Sequence, residues 1–207
     1  MSNKITFYVC SFGGCGSTML AKYLSNFGNV EHIHSRNPPN LLSYVGNKNT
    51  TKNAYKEWFN EVQISNENLK NYKVIFIYKN PLNAIYSRFV TRTGPHVQHL
   101  QHIQCDNNGF IRLMDVINTK KDLYKIEEFF DNYTTKKERN YNIYCVKYEN
   151  FWENIETFNK ILEIPDMKQL YPIKQETTRH GKFNTELTEI YKSLIDKMNS
   201  KDFIEII

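Results

Sequence analysis

The 207-residue sequence has no unbroken apolar run approaching the ~18–20 residues a membrane helix needs, so no helical span is expected. Cysteine is scarce. Cys10, Cys15, Cys105 and Cys145 show neither zinc-type nor paired spacing, which argues against a disulfide framework and suits a reducing compartment. The first residues run into an apolar segment without a basic-then-apolar leader, so the expected location is the cytoplasm, or a host's cytoplasm if the gene is viral. Internal repeats and low-complexity tracts are absent too. Although the net charge is +5, the lysines and arginines form no dense run and none of the nucleic-acid motifs is present. Specific nucleic-acid binding is therefore not expected; the positive balance favours anionic ligands in general.

What the chain does have is an alternation of short apolar runs with helical patterns. Residues 5–10 (ITFYVC), 73–78 (KVIFIY) and 142–147 (NIYCVK) read as buried strands, and 30–34 as a further one. Met19, Leu20, Tyr23, Leu24 and Phe27 recur at helical spacing before Gly28. Pro81 suits the first turn of a second helix, and residues 123–133, 151–162 and 187–198 read as further helices. Residues 46–56 are a polar surface excursion, and 92–110 a long loop. Strands separated by helices predict one α/β domain over 1–207, a mainly parallel central sheet covered on both faces in three α/β/α layers.

The first strand–helix junction reads Ser11-Phe12-Gly13-Gly14-Cys15-Gly16-Ser17-Thr18. Three glycines let successive N–H groups turn inward as an anion nest, and the helix that follows aims its unpaired N–H groups at the same point. Ser17 and Thr18 add hydroxyls. The plain alternative is a tight turn with no ligand. A Walker A motif requires lysine where Ser17 stands, which disfavours ATP or GTP hydrolysis.

After the second strong strand, Lys79-Asn80-Pro81 is followed by Ser87. A cation leaving a strand and a serine eight residues on can converge on one anion; alone, each is equally an ordinary surface or helix residue. Together with the first loop, the pattern resembles the sulfotransferases that use 3′-phosphoadenosine 5′-phosphosulfate (PAPS). Arg179-His180-Gly181-Lys182 looks like the late Arg-Lys-Gly stretch of that family, and Lys147-Tyr148-Glu149-Asn150-Phe151 like its Tyr-Glu-Asp segment. The resemblance implies a P-loop-NTPase-like fold, with Gly13, Gly14, Cys15, Gly16, Ser17 and Thr18 around the 5′-phosphosulfate. It implies Lys79, Ser87, Arg179, His180 and Gly181 around the 3′-phosphate, a hydroxyl acceptor (glycan, polypeptide or small metabolite), product PAP, and no metal. One departure stands out: Gly14 and Cys15 occupy positions where many members carry lysine or arginine.

Glu31-His32-Ile33-His34-Ser35-Arg36-Asn37-Pro38 follows the second strand, with His32 and His34 on one face. It resembles the Lys-Thr-His-Leu-Pro segment of cytosolic family members, which marks His34 as proton acceptor and Arg36 as a replacement cation; a partly buried histidine and a surface arginine are the structural alternative. His96, His99 and His102 would share a helix face, as a metal site or as an acceptor-binding or solvated face. Two other functions compete: a non-catalytic nucleotide- or sulfated-ligand-binding protein of the same fold, and a P-loop kinase.

Overall fold

The computed structural model describes residues 4–46, 56–90, 111–174 and 181–207. In chain order its elements are β1 (Thr6–Cys10), α1 (Ser17–Leu24), β2 (Asn29–Ile33), β3 (Ser43–Gly46), β4 (Glu57–Gln63), β5 (Tyr72–Tyr78) and α2 (Pro81–Ile85). A π-helical turn (Tyr86–Val90) extends α2. Then come α3 (Leu113–Thr119), α4 (Ile126–Thr134), β6 (Ile143–Lys147), α5 (Ile155–Leu162), α6 (Asn184–Ile190), α7 (Lys192–Asn199) and β7 (Ile204–Ile206).

The mostly apolar strands β1, β5 and β6 must bury both faces, and they do so along most of their length. The central sheet has the order β2-β1-β5-β6-β7, parallel except for β7. Phe7, Val9, Ile75, Ile77 and Val146 pack with Leu20 and Leu24 of α1 and Phe158 and Leu162 of α5. The alternate residues Tyr8, Cys10, Phe76 and Cys145 pack with Phe129, Phe130 and Tyr133 of α4 and Leu194 of α7. Helices thus cover both faces. On the α4 side the Phe76 and Tyr133 rings stack with centroids 4.5 Å apart, a geometry worth about 0.5–1.5 kcal/mol beyond the area buried.

Several boundaries differ from the sequence reading, each for a local reason. Helix α4 starts at 126 because the Asp122 carboxylate accepts the Glu127 N–H at 2.9 Å, fixing the entry. The single helix expected over 187–198 is two, broken at Tyr191, whose buried ring is anchored by its hydroxyl donating to Asp122 at 2.8 Å. The hairpin β3–β4 and edge strand β7 were not anticipated: β4 leaves most of its residues exposed and β7 has only three. The polar excursion lies outside the described residues except at positions 46 and 56, and the 92–110 loop lies wholly outside them.

The topology positions the site. From β1 the chain moves to β2 on one side and later returns to β5 on the other. In open parallel sheets such a reversal leaves a crevice beyond the carboxyl ends of the two diverging strands, here β1 and β5.

Candidate functional site

Residues 11–16 fill that crevice. Gly13, Gly14 and Gly16 have φ of 105°, 71° and 86°, so the loop turns through the left-handed region three times in four residues. At Gly14 the requirement is also steric: a Cβ would fall 2.7 Å from the Ala84 carbonyl oxygen and 3.2 Å from Ser87 Cβ. The cation common at this position in the resembled family has no room here. Gly16 is the N-cap of α1, with no side chain capping it and no acidic residue in the first turn. Helix α2, by contrast, is capped by Asn80 Oδ1 accepting from Leu82 N at 3.0 Å. An uncapped start facing a turn of positive-φ residues is suited to an anion. Cys15 contributes no nucleophile: burial pushes its thiol up to about 12, and its Sγ donates to the Gly13 carbonyl at 3.3 Å. Ser17 is buried and Thr18 exposed.

Strand β2 delivers His32 and His34 beside this loop, their ring centroids 4.6 Å apart. His34 is buried, and its Nδ1 lies 2.6 Å from the Ser11 carbonyl oxygen. A carbonyl only accepts, so Nδ1 carries the proton and Nε2 is the basic nitrogen of the neutral ring. Ser11 Oγ donates to Ser17 Oγ at 2.9 Å, and His32 Nε2 lies 2.7 Å from that same Ser17 oxygen. Burial, reinforced by the nearby Arg88 guanidinium, lowers His32 to about 4, so it is neutral at pH 7.

Arg36 is 8% exposed. Its Nε is 3.3 Å from Glu128 Oε1, an ion pair without hydrogen-bond alignment, and its buried Nη1 has no hydrogen-bond partner. A buried guanidinium N–H left so requires an explanation, and an anion is a chemically apt one. The backbone around it is clamped to α4: Tyr133 donates its hydroxyl to the Ser35 carbonyl at 2.7 Å.

The remaining motif segments meet at the same edge. Lys79, 6% exposed, places Nζ 4.4 Å from the centroid of the Tyr148 ring. Glu149 accepts the Asn80 N–H at 2.8 Å, tying the end of β6 to the end of β5. Ser87 lies in the π-helical turn, against the first loop through Gly14. Gly181 packs on the Tyr86 ring, and Phe183 N donates to the Tyr86 hydroxyl at 3.1 Å. The first loop, residues 79–87, residues 148–149 and Gly181 are therefore contiguous. Arg179 and His180 lie outside the described residues, as do His96, His99 and His102. Among the described residues, no three His, Cys, Asp or Glu side chains are grouped to hold a metal, and no helix is long and apolar enough to cross a membrane.

Sequence reasoning passed over Arg88 and gave His32 no role. Arg88 is buried in the π turn and electrostatically close to His32. The only sequence signal was its place next to Ser87. A cleft of about 470 Å³ bounded by Thr6, Tyr8, Asn29, Tyr44 and Tyr72 opens at the amino ends of the strands, away from this chemistry. No family model, curated protein or solved structure matches the chain.

Proposed function

We propose that the chain is a PAPS-dependent sulfotransferase of P-loop-like fold acting on a hydroxyl acceptor. The observation that carries this reading is the meeting, at one edge of the sheet, of four segments far apart in sequence: 13–18, 79–87, 148–149 and 181. A turn serving only to connect β1 to α1 needs no buried lysine, no uncapped helix start and no orphaned buried guanidinium nearby.

PAPS, when bound, supplies the activated sulfonate. Gly13 to Thr18 hold its 5′-phosphosulfate through backbone N–H groups and the two hydroxyls. Lys79 and Ser87, joined by Arg179, His180 and Gly181, hold the 3′-phosphate. His34, fixed through Nδ1, would take the acceptor hydroxyl proton on Nε2 while the acceptor oxygen bonds to sulfur and the bridging sulfur–oxygen bond breaks, with PAP as the leaving group. Arg36 offsets charge through its unpartnered Nη1, with Arg88 as a second buried cation beside the loop. The acceptor is a glycan, polypeptide or small metabolite, and the chemistry calls for no metal.

The decisive experiment is transfer of labelled sulfonate from PAPS to a panel of hydroxyl acceptors, beside calorimetry with PAP. The steric exclusion of a cation at Gly14 favours one alternative, a nucleotide-binding protein of this fold without catalysis. Tight PAP binding with no transfer to any acceptor would select it. Preference for magnesium-ATP over PAP would instead select a P-loop kinase.

A further inference from the structure

Ser17 is the first residue of α1 and its hydroxyl has one proton to give. It already accepts from Ser11 at 2.9 Å and touches His32 Nε2 at 2.7 Å. The short contact to His32 is made by a single proton, and two arrangements are open. If Ser17 donates to Nε2, its hydroxyl is spent on the histidine and offers an anion nothing. If Nε2–H donates to Ser17, the oxygen accepts twice and its own proton is left to point at a ligand. An oxyanion at the loop accepts hydrogen bonds and gives none, so it selects the second arrangement.

We infer that His32 is a positioning residue for the anion loop: with Nε2 protonated it donates to Ser17 Oγ and turns the Ser17 hydroxyl proton toward the bound phosphosulfate or phosphate. This rests on the reading of residues 13–18 as an anion site. The ring is neutral at pH 7 because burial and the Arg88 guanidinium oppose a second proton, so the choice lies between tautomers rather than charge states. Strand β2 holds the ring at the right height: Val9 pairs with His32 and Cys10 with Ile33, which sets His32 beside the last turn of β1 before the loop begins.

The test uses the full chain at pH 7 with two probes, PAP and inorganic pyrophosphate. Nitrogen NMR on histidine-labelled protein is expected to find Nε2 of His32 protonated in the complex with either probe. His32→Phe, which keeps a ring but no donor, should weaken both probes about tenfold, the worth of the neutral hydrogen bond that aims the Ser17 hydroxyl. His32→Gln, whose amide N–H can replace Nε2–H, should stay close to the parent. In a Ser17→Ala background, His32→Phe should cost nothing further. An unprotonated Nε2 in the complex overturns the inference, as does an equal loss from His32→Phe with and without Ser17. If PAP binds no tighter than pyrophosphate, the nucleotide reading fails while the pyrophosphate arm still judges His32. If neither binds, the loop holds no anion and both readings fall.

Discussion

Lys79 and Tyr148 form a cation–ring pair at 4.4 Å, and the same ring lies against Gly16, where an added Cβ would come within 2.2 Å of it. One aromatic side chain from the end of β6 therefore joins the cation that ends β5 to the turn that ends β1. Lys79→Ala should weaken PAP by roughly ten- to a hundredfold, the worth of one charge-assisted hydrogen bond, while the fold persists. Calorimetry without divalent metal should also find PAP tighter than 5′-AMP. Equal affinities for the two nucleotides would remove the 3′-phosphate pocket.

At Gly14, a lysine introduced to supply the loop cation of the resembled sulfotransferases should do harm. With φ of 71° and the Ala84 carbonyl 2.7 Å from the Cβ position, both backbone strain and collision oppose it. Gly14→Lys and Gly14→Ala are expected to lower the thermal midpoint together and to lose PAP affinity together. A lysine variant that transfers sulfonate faster than the parent would contradict this.

Arg36→Ala should reduce kcat with little change in the KM for PAPS, because the unpartnered Nη1 acts mainly on charge that develops during transfer. Glu128→Gln provides the control. If the arginine serves only its ion pair with α4, the two variants will lose similar stability and neither will lose turnover. His34→Ala should reduce kcat as well, and full activity in the His34→Ala/Arg36→Ala double variant would dismiss this pair.

Acid should destabilise the fold through His32. Its native pKa near 4 lies below the ~6.5 of an unfolded chain. The unfolded state therefore binds more protons between those values, and stability falls as pH drops from about 6.5 toward 4. Urea denaturation at pH 7.5 and pH 5 should reveal a larger acid loss in the parent than in His32→Gln. Identical losses would place the sensitivity elsewhere.

Residues 5–10, 73–78 and 142–147 were legible as strands because burial on both faces leaves a continuous apolar signature, and Gly13, Gly14 and Gly16 because few structures other than a left-handed turn need them so closely spaced. Strand β7 was not legible: Ile204–Ile206 pairs antiparallel with β6, and three residues carry no periodicity. The roles of His32 and Arg88 were hidden for a different reason. His32 matters through a hydroxyl fifteen residues away, and Arg88 through a helical turn whose width no residue pattern announces.

That turn has a consequence for mutational tolerance. Residues 86–90 contain the wider spacing of a π helix directly after five residues of ordinary α helix. Removing one residue there would let the helix run on regularly, swinging every following side chain by about 100° around its axis. Ser87 would leave Gly14 and Arg88 would leave His32 although both side chains are kept. A shortened 86–90 segment should therefore abolish anion binding more completely than any single substitution within it, even where the helix itself becomes more regular.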